Sequence, residues 1–240
     1  MDSPLTAVGL DQAAAVARRL AGRRVPPALP IPADVPTEIV HSPLLRTAAT
    51  AAAIGDAISA FEGSGAVIPL RPDPGFLEIG QGDWEGLSGT VINERFGDTL
   101  AAWRRRPWET VAPGGETLQD VVGRVRPALA TTLTRLGDGR EAGTLDRSHV
   151  SGYGDAPPTH PWTILVGHDG VFKVTLLTLF GLPLERFWMW SMDLCGLTVV
   201  EFRAGRAVLR AHNLTDHLAL LHAPGSPEPT PASFRPEGAL

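Results

Sequence analysis

"TILVGHDGVFKVTLLTLFGLP", Thr163 to Pro183, holds a strand, a tight turn and a helix in immediate succession. Thr163 to Gly167 is a short continuous apolar run, the pattern of a strand buried on both faces. Asp169-Gly170 then opens a helix, with Asp169 as its expected cap. Gly181 ends that helix and Pro183 lies just beyond it. The run from Val171 to Leu184 is the most apolar in the chain, yet Lys173 interrupts it and it is too short to span a bilayer. It reads as a core helix.

The same unit occurs earlier. Thr37 to Val40, "TEIV", is a short apolar strand, and Ser42-Pro43 supplies an N-cap followed by proline at the first helical position. The helix that follows, through Leu45, Ala48, Ala49 and Ala52, is expected to stop at Gly55. Strands alternating with helices predict an α/β domain with a mainly parallel sheet.

The remaining segments fit around these units. Asp2 to Leu5 is a loop, Thr6 is an N-cap, and Leu10, Ala13, Ala14, Ala17 and Leu20 have helical spacing up to Gly22. A proline-rich connection follows. Glu116 to Leu136 is predicted to be helical behind the turn Pro113-Gly114-Gly115. Gly137 to Pro161 reads as a flexible insertion. "GLTVVEF" and "AVLRAHN" flank Ala204-Gly205 as a hairpin. Residues 1–222 are expected to form the domain, and 223–240, rich in proline, glycine, serine and glutamate, a disordered tail.

The chain has 240 residues with a net charge of -5, which gives no electrostatic reason to expect nucleic acid or an anionic membrane as partner. Arg104, Arg105 and Arg106 form a local run that reads first as a solvated face and second as a contact for a substrate phosphate. Cys195 is the only cysteine, so no disulfide framework or thiolate metal site can be built. It lies in an apolar stretch and reads as a buried structural thiol. This usage, with no basic-then-apolar leader, predicts a cytoplasmic protein. The remaining histidines (His41, His149, His160, His212, His217, His222) show no metal-like spacing, so neither a metal nor another cofactor is expected.

In parallel α/β sheets, ligands bind where strands end and helices begin. Arg46 lies in the first turn of its helix, and its side chain leans back toward free N–H groups and the positive end of the dipole. A guanidinium there suits a phosphate, which it can grip with two parallel hydrogen bonds. Alone, it could equally be a surface arginine in an ion pair. His168 follows one strand and precedes a helix, a place for a general acid or base, an anion binder or a structural histidine. Glu78, in "FLEIGQGDWEG", precedes a glycine-rich turn and can protonate a leaving group. Asp83 and Glu85 are rival carboxylates that the residues alone do not rank.

Six segments together resemble the histidine phosphatase superfamily, also called phosphoglycerate-mutase-like. "DSPLTAVGLDQAAAVARRL" is similar to its first helix and the preceding loop, and "VHSPLLRTAATAAAIG" to its S-P-L-x-R segment. "LEIGQGDWEG" is similar to its glutamate segment and "PGGETLQDVVGRV" to its P-G-G-E helix start. "ILVGHDGVFKVTLLTLFGLP" is similar to its second-histidine unit and "HNLTDHL" to its closing segment. They occur in family order from Asp2 to Leu218.

The resemblance implies a three-layer α/β/α sandwich and phosphoryl transfer to a histidine, with Arg46 and His168 at the phosphoryl group and Glu78 as the acid. The implied partner is a small phosphorylated molecule. The family's nucleophilic histidine lies in an R-H-G motif at the end of its first strand, ahead of the segment that Asp2 begins. No such tripeptide occurs in these 240 residues. The expectation is therefore a sheet lacking its first central strand, in a chain whose start falls at an internal methionine of a phosphatase and which is itself inactive. The alternatives are a non-catalytic relative that binds phosphorylated ligands or a protein, and a phosphoglycerate-type mutase. Leu87 to Trp108 and the 137–161 insertion are where the family resemblance places substrate choice.

Overall fold

The computed structural model describes residues 2–62, 67–137, 160–203 and 205–221. Most of the expected insertion and the whole expected tail lie outside the described residues. Three parallel strands form one sheet in the order β2 (Leu70–Pro72), β1 (Ile39–His41), β3 (Ile164–Val166). Ile39 is in register with Leu70 on one side and Ile164 on the other. β4 (Leu197–Arg203) and β5 (Arg206–Leu214) make a separate antiparallel hairpin, as the Ala204-Gly205 turn predicts.

Alternation along β1 sets the layers, since successive strand side chains point to opposite faces. Ile39 packs with α1 (Ala7–Ala21) and α2 (Leu45–Glu62), among Val16, Leu20, Ile54 and Ile58. Val40 faces the other way, onto α4 (Leu118–Gly137) and α5 (Asp169–Phe180), among Val121, Val125, Val171 and Val174. Helices thus cover both faces of a parallel sheet, the three-layer arrangement expected. Both side chains are fully buried, each contributing roughly 1.5–3 kcal/mol by removal from water. Among the described residues, β3 has a ladder on one edge only and β4 pairs with β5 alone. β1 is buried throughout, whereas β3 is half-buried at all three residues.

Thr6 caps α1, its Oγ1 accepting from Gly9 N at 3.1 Å. Gly181 closes α5 in the left-handed conformation at φ 62°. α2 does not stop at Gly55 but runs on to Glu62. Its buried stripe of Ala51, Ile54 and Ile58 continues across the glycine, and packing outweighs the weak helix propensity of that residue. The first strand lies one residue later than the apolar run suggests, ending on His41. α4 begins at Leu118 rather than Glu116, because Thr117 Oγ1 accepts from Asp120 N as a cap. β2 and α3 (Gly89–Arg105) have no counterpart in the sequence reading.

Arg104, Arg105 and Arg106 are exposed, as expected of a solvated run, while Trp103 is buried in the core. Cys195 is half-buried rather than buried, and its surroundings push the thiol up to about 11, so it stays protonated and unreactive. Among the described residues no helix is long and apolar enough to cross a membrane.

Candidate active site

The sheet register carries two chain segments to one place. Beyond His41, Ser42 N donates to Val166 O at 2.9 Å, extending the ladder by one step. The ends of β1 and β3 are therefore level, and Ser42 and His168 emerge side by side. His168 Nε2 lies 3.0 Å from Ser42 Oγ, and Ser42 is fully buried. Its sequence position suggests only a helix cap for Ser42; its contact with His168, 126 residues away, depends on strand pairing.

Arg46 stands in the first turn of α2, as expected. Its half-buried guanidinium has no hydrogen-bond or ion-pair partner among the described residues. This helix end already draws an anion: Asp2 Oδ1 accepts from Leu45 N at 2.8 Å. His168 is 9% exposed. Burial first, then the nearby charges of Arg46 and Arg124, push its imidazole down to about 3, so it is neutral near pH 7.

Glu78 is a carboxylate that reaches the α5 amides just after His168. Its Oε1 accepts from Ile79 N at 2.9 Å and Val171 N at 3.0 Å, and Oε2 from Gly170 N at 3.4 Å. It thereby caps α5. Asp169 does not: its side chain turns to Lys173 instead, which corrects the expected role. Gly170 permits the approach, since a Cβ there would lie 2.8 Å from Glu78 Oε1. Burial raises the proton affinity of Glu78 and the Asp169 charge adds to this, while the three amide bonds oppose it. Asp83 and Glu85 are exposed.

A second arginine fixes the Glu78 loop. Arg124, on α4, donates from Nη1 to Gly75 O (3.0 Å) and Leu77 O (2.8 Å), and from Nη2 to Glu78 O (3.1 Å). Its Nε and Nη2 bond both oxygens of Glu116, at 2.9 and 2.8 Å. Glu116 in turn accepts from Gly80 N at 2.8 Å. Nothing local in the sequence marks Arg124 beyond its place in the P-G-G-E segment. Among the described residues the His41 ring is hydrogen-bonded to the Ser42 carbonyl alone, and no group of three or more His, Cys, Asp or Glu could hold a metal ion.

An unpaired guanidinium, a neutral imidazole and a carboxyl with raised proton affinity thus converge where β1 and β3 end. The model of the histidine phosphatase superfamily (branch 1) matches residues 1–215. The chain is 30% identical over 189 residues to glucosyl-3-phosphoglycerate phosphatase of Mycolicibacterium vanbaalenii, covering 78% of this chain and 68% of that protein. A shorter match, 38% over 79 residues and 32% of this chain (37% of that protein), runs to 2,3-bisphosphoglycerate-dependent phosphoglycerate mutase of Cytophaga hutchinsonii. The solved mycobacterial glucosyl-3-phosphoglycerate phosphatase with inorganic phosphate superposes with a TM-score of 0.68 at 25% identity, covering 90% of each chain.

Proposed function

From the premise that the chain belongs to the histidine phosphatase superfamily, we propose that its site serves phosphomonoester hydrolysis through a phosphohistidine. Arg46 and His168 bind the phosphoryl group, and Glu78 is the acid. The observation that carries this reading is the placement of Glu78 on the first amides of α5, directly after His168, with Arg46 unpaired beside them. A histidine nitrogen attacks phosphorus, the P–O ester bond breaks, and the leaving oxygen takes the Glu78 proton. Water then attacks phosphorus, its proton passes to the Glu78 carboxylate, the P–N bond breaks with its electron pair returning to the histidine nitrogen, and phosphate leaves. Fixed cationic groups around the transferring phosphoryl are the main rate contribution in such chemistry.

His168 does not supply the attacking nitrogen in this reading; it binds and donates to the phosphoryl oxygens once the anion favours its charged form. The nucleophile belongs to an Arg-His-Gly segment, and the 240 residues contain none. The chain as given is accordingly expected to show no steady hydrolysis of p-nitrophenyl phosphate above that of His168→Ala. Turnover that His168→Ala abolishes would overturn this. A protein that binds phosphorylated small molecules without turning them over is the second reading. The DNA directly upstream of Met1 separates the two. An in-frame apolar strand ending in Arg-His-Gly supports the enzyme, and an immediate in-frame stop codon supports the binding protein.

Arg46→Met is expected to weaken sulfate or phosphate binding by the chain about tenfold, the loss of a charge-assisted hydrogen bond. Isothermal titration of the two proteins measures it, and unchanged affinity would remove Arg46 from the site.

A further inference from the structure

Lys173 is a buried cation that the proposed chemistry leaves unused. It lies one turn into α5 and is 5% exposed. Its Nζ donates to Asp169 Oδ2 at 2.8 Å. The rings of Trp188 and Phe187 stand over it, with centroids 4.8 and 5.5 Å from Nζ. A lysine so placed must have a counter-charge, because an isolated ammonium does not persist out of water.

Asp169 heads α5, where a carboxylate ordinarily takes first-turn amides and the positive end of the dipole. Here those amides serve Glu78. Two carboxylates therefore meet one helix N-terminus, and Asp169 Oδ1 is buried without a partner. Helical side chains lean toward the N-terminus, so a lysine four residues on reaches back to Asp169, in the favourable order of acid before base. We infer that Lys173 is a positioning residue: by holding Asp169 inside an aromatic-walled ion pair, it reserves the α5 amides for Glu78.

The catalytic meaning of this inference rests on the reading of Glu78 as the proton donor, but the arrangement can be tested without substrate. The charged group that acts on Glu78 is Asp169 at the head of α5, next in sequence to His168, on which Arg46 from α2 acts; Arg124 and Glu116 hold the Glu78 loop. Lys173→Met leaves Asp169 as an uncompensated negative charge at the same helix end. The carboxyl carbon of Glu78 is followed by NMR against pH in the intact chain, its resonance identified by its loss in Glu78→Gln.

Lys173→Met is expected to raise the Glu78 midpoint by about one pH unit, a tenfold change in proton affinity. The double variant Asp169→Asn/Lys173→Met is expected to return it to the wild-type value or below. A midpoint unmoved in Lys173→Met, or a shift that survives in the double variant, overturns the inference. If Lys173→Met does not fold, Asp169→Asn alone decides: the midpoint falls if Asp169 acts on Glu78 and stays if it does not. Because the readout is titration in the chain itself, it stands or fails independently of phosphatase activity.

Discussion

Replacing Arg124 with methionine is expected to lower the unfolding free energy by about 3 kcal/mol. The guanidinium serves three backbone carbonyls, of Gly75, Leu77 and Glu78, and both oxygens of Glu116. Methionine keeps the aliphatic volume and withdraws every donor. Glu116 then loses its counter-charge, although it still accepts from Gly80 N. Water can reach part of this cluster, since the Arg124 and Glu116 side chains are 20% and 32% exposed, which holds the cost below that of a fully buried pair. Arg124→Lys restores charge but not the planar fork, so it should recover only part of the loss. Urea unfolding with unchanged slope measures both variants. A loss under about 1 kcal/mol for methionine, or a lysine variant equal to wild type, would show that the fork does not hold this loop.

The Arg124 cluster also shows where the sequence stops being informative. A strand end, a tight turn and a helix start are local events, so Arg46 and His168 could be placed from the residues around them. α5 was legible to within a residue because Gly181 and Pro183 mark its end chemically. Gly55 misled for the converse reason: it carries the same local signal, but Ile58 beyond it is buried against the sheet and keeps the helix going. The residues alone do not separate Glu78 from Asp83 and Glu85, because its partners are amides of Gly170 and Val171, 92 and 93 residues away. Ser42 was legible as a cap and not as a partner of His168 for the same reason. Asp169 was misread because its neighbour at the helix end is a second carboxylate that no local pattern announces.

The largest pH effect is expected at His168. An imidazole held near 3 in the folded chain and free to titrate near 6.5 when unfolded contributes stability above pH 6.5 that is lost as pH falls. Between pH 7 and pH 5 the loss is about 2 kcal/mol, and by pH 3 about 4 kcal/mol. Glu78 acts with the opposite sign. Its raised proton affinity lets the folded chain bind a proton before the unfolded one does, so acidification through that window favours folding. Comparing wild type with His168→Gln cancels the Glu78 contribution to first order and isolates the histidine. Glutamine places a polar atom where Nε2 meets Ser42, so the variant keeps that contact while losing the titration. The stability of wild type relative to the variant should fall steeply from pH 7 to pH 5. The causes of the shift predict a further sign. Arg46 and Arg124 oppose a proton on His168 while the site is empty, and a bound dianion offsets both charges. Sulfate, whose charge is constant across this range, should therefore bind wild type more tightly as pH falls and take up a proton on binding. His168→Gln should bind it with no such dependence. Parallel pH curves for the two proteins would mean that His168 neither titrates in this range nor faces the anion.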